Sequence, residues 1–119
     1  MNIVAKLQIK PGQRIAVLAA MAEVPTITTD DANPPAVAGE ADVTVAFVSA
    51  RSELATVAVP AIDAARRDEL AWIAYPKAGK LGIDLNRDTL AAALADERIQ
   101  PVRQVAIDET WSALRFRPA

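Results

Sequence analysis

The side chains able to do chemistry in this 119-residue sequence are Lys, Arg, Asp, Glu, Tyr and Trp, because it contains no His and no Cys. Imidazole acid–base work, Ser-His-Asp triads, thiolate nucleophiles and thiolate metal sites are therefore excluded. Three groups remain. Lys77-Ala78-Gly79-Lys80-Leu81-Gly82 sets two ammonium groups among glycines. A nucleotide P-loop would need Gly at Ala74 and Ser or Thr at Leu81, so this is not one. Between a strand and a helix it could still attract an anion, although shaping the turn is the simpler role. Asp84, Asp88, Asp108 and Glu109 form an acidic set that could hold Mg²⁺, an ion that takes oxygen ligands. Asp84 and Asp88 suit the first turn of a helix, where acids cap it and complement its dipole. No metal site and no cofactor is assigned.

The third group depends on topology. In an open α/β sheet, ligands gather beyond the carboxyl ends of the parallel strands. Ser49 and Arg51 follow one expected strand, Tyr75, Lys77 and Lys80 follow the next, and Asp108 and Glu109 follow the last parallel one. With Arg87 on the intervening helix and Trp111 opening the return strand, these nine residues form one candidate ligand-binding rim. A small polar ligand or a peptide could bind there. An internal salt-bridge network fixing the loops accounts for the same residues.

The elements that must position this rim follow from pattern. Residues 2–8 carry Val4 and Leu7 at helical spacing and predict a short packing helix. Lys10-Pro11-Gly12 is a turn, and Arg14 to Leu18 reads as a buried strand. Thr26 to Thr29 predicts a short strand, followed by loop chemistry from Asp30 to Pro35. Asp42 to Val48 is a nearly continuous apolar run, as expected for a strand covered on both faces. Leu54, Val57, Ala58, Ala61, Ile62 and Ala65 mark an amphipathic helix that Pro60 must kink or split. Leu70 to Tyr75 is the next strand, stopped by Pro76. Asp84 or Asn86 caps a helix that Pro101 closes, and Val102 to Ile107 and Trp111 to Arg117 form a terminal hairpin. In the return strand Ser112, Leu114 and Phe116 should face the core, leaving Trp111, Ala113, Arg115 and Arg117 outward.

This order predicts a single α/β domain over residues 1–119 with a mainly parallel sheet and a C-terminal antiparallel β-hairpin. Ala19 to Thr26 is too short for a full crossover helix, so the first connection is shortened or its strands are not parallel.

Three stretches add a resemblance: Trp72 to Lys77, Asp84 to Asp88, and Asp108 to Phe116. With Ile9 to Arg14 they resemble an uncharacterised bacterial family, the domain of unknown function DUF 3052. The resemblance spans nearly the whole chain and is weakest from Ala19 to Glu40. It implies a small Rossmann-like, methyltransferase-like three-layer sandwich with the last two strands as a hairpin at one sheet edge. The chain departs from the pattern in a shortened stretch from Ala19 to Val24, in Tyr75 where Trp is usual, and in Ala50 where a capping Ser is common.

Cofactor loops of Rossmann type need glycines after the first strand, yet Ala19-Ala20-Met21-Ala22-Glu23 has none. The expected function is a non-catalytic binding or interaction module without adenosylmethionine chemistry. The alternative is a small-molecule or anion-binding protein or enzyme that uses the rim. A net charge of −2 argues against nucleic acid, and no apolar run is long enough to span a membrane. The expected location is cytoplasmic. The expected partner is a protein or a small polar ligand, with a homodimer through the edge hairpin as one form.

Overall fold

The computed structural model describes residues 3–19, 35–77 and 85–119. Five strands make one sheet: β1 (Ile15–Ala19), β2 (Val43–Phe47), β3 (Leu70–Pro76), β4 (Ile99–Ala106) and β5 (Trp111–Pro118). Helices α1 (Ile3–Lys6), α2 (Val59–Arg66) and α3 (Arg87–Ala95), with a 3-10 turn at Arg51–Ala55, complete the α/β fold. The radius of gyration is 12.9 Å, against about 13.5 Å expected for a single compact domain of this length. No helix among the described residues is long and apolar enough to cross a membrane. The strand expected at Thr26 to Thr29 lies outside the described residues.

Strand order is β1-β2-β3-β5-β4. The β1–β2 and β2–β3 pairs are parallel, whereas β3–β5 and β5–β4 are antiparallel. The sheet is thus mixed rather than mainly parallel. The hairpin folds its second strand inward, between β3 and β4, and both pairings on that side become antiparallel.

Alternation sorts the strand residues onto two buried faces. Ala46, Ile73, Tyr75, Leu114 and Phe116 pack with α2 and α3 residues such as Ile62, Leu90 and Leu94. Val43, Val45, Phe47, Trp72, Trp111 and Ala113 pack on the other side with Leu7 and Ile9. β2 is buried at every position, as its continuous apolar run predicts.

Pro60 splits the amphipathic segment as expected. A 3-10 turn precedes it, and α2 begins at Val59 with Pro60 in its first turn, where a missing amide costs nothing. Leu54 and Val57, before the split, still pack against the core.

Three further expectations need correction. The first strand is buried only at its start, and Val17 is 37% exposed, because β1 lies at an edge of the sheet. Pro101 does not close a helix: α3 ends at Ala95 and β4 has already begun at Ile99. Proline is tolerated because β4 is an edge strand and its register shifts between Pro101 and Arg103. Trp111 and Ala113 do not face outward but are buried, at 3% and 0% exposure. Their strand lies inside the sheet, so both of its faces are covered there.

Candidate functional site at the carboxyl rim of the sheet

β2, β3 and β4 run in the same direction, so their carboxyl ends share one border, where β5 begins. Pro76 stands opposite Trp111, the Lys77 amide donates to the Thr110 carbonyl at 2.8 Å and the Ile107 amide to the Trp111 carbonyl at 2.9 Å. The topology therefore brings Ser49, Tyr75, Lys77, Asp108, Glu109 and Trp111 to the same rim.

What the side chains do there differs from free chemistry. After β2 the Glu53 carboxylate turns back on its own loop. Its Oε1 accepts the Ser49 amide at 2.6 Å, the Ser49 hydroxyl at 3.2 Å and the Ala50 amide at 3.3 Å. This is one half of a capping box; Ala50 has no side-chain acceptor for the other half. The Ser49 hydroxyl is consequently spent on Glu53.

Asp108 does the same for the hairpin turn. Its Oδ1 accepts the amides of Thr110 and Trp111, both at 2.8 Å. An aspartate so placed closes an Asx turn. The Trp111 ring lies edge-on to Phe47, centroids 5.1 Å apart at 88°. It fills the core and offers no stacking face to a ligand.

Tyr75 is 3% exposed. Its hydroxyl accepts from Gln104 Nε2 at 3.0 Å, and Gln104 Oε1 accepts from Arg87 Nη1 at 3.2 Å. Burial pushes the Tyr75 phenol above its ordinary range, against the opposing pull of Arg87 and a hydrogen bond with Ser112. Arg87 also lies 3.8 Å from the Asp88 carboxylate. This chain borders a depression of about 270 Å³ lined by Arg87, Asp88, Pro101, Arg103, Gln104 and Leu114.

Arg51 borders a separate depression along α3, with Thr89 and Asp96. Asn86 supplies the helix cap, its Oδ1 accepting the Thr89 amide at 3.0 Å. Lys80, Asp84 and the loop from Ala78 to Ile83 lie outside the described residues, as does the glycine-free stretch from Ala20 to Glu23. Among the described residues no ion pair joins Lys77, Asp108 or Glu109 to another group. Among the described residues, carboxylate-to-amide caps hold the loops after β2 and β4. No group of three or more acidic residues among them could hold a metal ion.

Two residues escaped sequence reasoning. Glu53 carried a signal, since an acid three residues into a helical turn is a capping position. Gln104 carried none: its role follows from β4 lying beside β5, which brings it over Tyr75.

No protein-family model matches the chain, and comparisons with curated proteins and with solved structures returned no match.

Proposed function

We propose that this protein is a non-catalytic binding module of Rossmann-like, methyltransferase-like form that carries out no adenosylmethionine chemistry. The edge position of the β4–β5 hairpin supports that form. The sequence has no Gly between Gly12 and Gly39, so the connection after β1 lacks the bare backbone that a nucleoside cofactor approaches. The observation that carries the reading is the use made of the rim acids. Glu53 and Asp108, two of the carboxylates at the rim, each accept backbone amides. A carboxylate oxygen that holds backbone amides is occupied in the fold and is not open to a substrate. Calorimetric titration with adenosylmethionine should give no binding heat. A micromolar dissociation constant would overturn the reading.

A second reading is favoured by the Arg87–Gln104–Tyr75 chain. It makes the depression beside it a site for a small polar ligand or anion at the rim. Under that reading Arg87→Ala abolishes retention of such a ligand; unchanged retention in the variant discards it.

A further inference from the structure

On the sheet face opposite α2 and α3, Arg103 and Arg115 stand side by side, and Lys6 shares a depression with Arg103. Arg103 of β4 and Arg115 of β5 are direct partners in the antiparallel register, so their side chains leave the same face. Like charges placed directly opposite across a strand pair repel. Lys6, at the end of α1, lines the same depression as Arg103; Gln8, Ala5, Val105 and Ala106 complete its wall, and its volume is about 590 Å³. Arg115 Nη1 donates to Gln8 Oε1 at 3.0 Å, which fixes that amide and leaves its nitrogen as a further donor on the wall.

None of the three cations makes an ion pair among the described residues. Asp68, an acid that feels the Arg115 charge, is bound at both oxygens by Arg117 at 2.8 and 3.0 Å. Arg115 Nε is buried and has no acceptor. A buried donor without a partner is costly and calls for explanation. That nitrogen is closed off from solvent, so an anion meets the pair at Arg103, where it relieves the repulsion.

We propose that this depression binds a phosphomonoester, with the phosphoryl group at Arg103 and Lys6, Arg115 behind Gln8 adding its positive charge, and an apolar body along Ala5, Val105 and Ala106. A single arginine satisfies a carboxylate through a two-pronged contact. An arginine and a lysine together, with a second arginine behind the wall and no ion pair among the described residues, suit a dianion better. The volume exceeds what a bare phosphate fills. Arg103 also borders the depression beside Arg87 and Gln104, so it is the Gln8 wall that marks this site, which stands or falls independently of adenosylmethionine binding at the rim.

The test is calorimetric titration of the full chain with phenyl phosphate and with benzoate at low salt, together with amide chemical-shift mapping. Phenyl phosphate should bind with a dissociation constant below about 1 mM and benzoate at least about tenfold more weakly. Arg103→Gln should weaken phenyl phosphate binding by about tenfold or more, while Arg98→Gln, a charge control elsewhere on the surface, leaves it unchanged. The Gln8 side-chain amide resonances should move on binding. Absence of phenyl phosphate binding, equal binding of benzoate, equal loss in the two variants, or a stationary Gln8 amide would each overturn the proposal.

Discussion

The indole of Trp72 donates a 2.9 Å hydrogen bond from Nε1 to the carbonyl of Leu7, a buried link between residues 65 apart in sequence. It ties the one-turn helix α1 to the middle of the sheet. A helix of four residues has no stability of its own. Its position rests on this bond and on the packing of Leu7 and Ile9 against β2 and β3.

Trp72→Phe keeps an aromatic ring but leaves the Leu7 carbonyl buried without a donor. The expected loss is about 1–3 kcal/mol, the cost of an unsatisfied buried polar group. Urea denaturation measures it through the midpoint. Hydrogen exchange should show Leu7 and Ile9 amides losing protection first. An unchanged midpoint would mean that water replaces the indole at no cost.

Asp108 acts as the acceptor of the hairpin turn, so its effect should be on stability. Asp108→Ala removes the acceptor for two amides and should cost about 1 kcal/mol, as for the loss of a cap. Asp108→Asn retains an oxygen in the same place and should recover most of that difference. Thermal unfolding of the two variants side by side separates the hydrogen-bonding role from the charge.

Arg98 has a φ of 63°, in the left-handed region that a non-glycine residue enters at about 1–2 kcal/mol. Its carbonyl accepts the Ala119 amide at 3.0 Å, a bond that any residue can make. Arg98→Gly should therefore stabilise the fold, by about 1 kcal/mol after the entropy gained by the unfolded chain. The same exchange at Asp68, φ 60°, should gain less or lose, because it also removes the two-pronged contact with Arg117. Paired melting curves of the two variants read out the difference.

Tyr75 supplies a pH dependence on the alkaline side. Its folded-state pKa is raised by burial, so above the ordinary value of 10.0 the folded protein holds a proton that the unfolded chain has released. Stability from this group is complete below that value and falls as the pH rises through the folded pKa. Tyr75→Phe should flatten the fall in unfolding free energy above pH 10. Ultraviolet titration of the single tyrosine should show its phenolate forming late.

Local pattern carried much of the fold. The run from Val43 to Phe47 announced a strand covered on both sides, and Pro60 announced the break between the 3-10 turn and α2. Trp111 could not be read this way. Alternation tells which residues share a face, but not whether that face meets solvent. The answer depended on β5 slipping between β3 and β4, a matter of strand order that no short stretch encodes. Pro101 misled for a related reason: proline excludes a central strand, and only the finished sheet shows that β4 lies at an edge. The rim was legible as a place, since parallel strands end together. Its chemistry was not, because the loop amides that occupy one oxygen of Glu53 and one of Asp108 are set in place only by the finished fold.

The strand that completes the interior of the sheet is also the last one of the fold to leave the ribosome. Until Trp111 to Pro118 emerge, β3 keeps an unpaired side and the aromatic cluster around Phe47 lacks a wall. Nascent chains halted before that point hold an open hydrophobic seam, the kind of surface that chaperones engage. Folding of this sheet during synthesis is therefore deferred until β5 is available to close it from within.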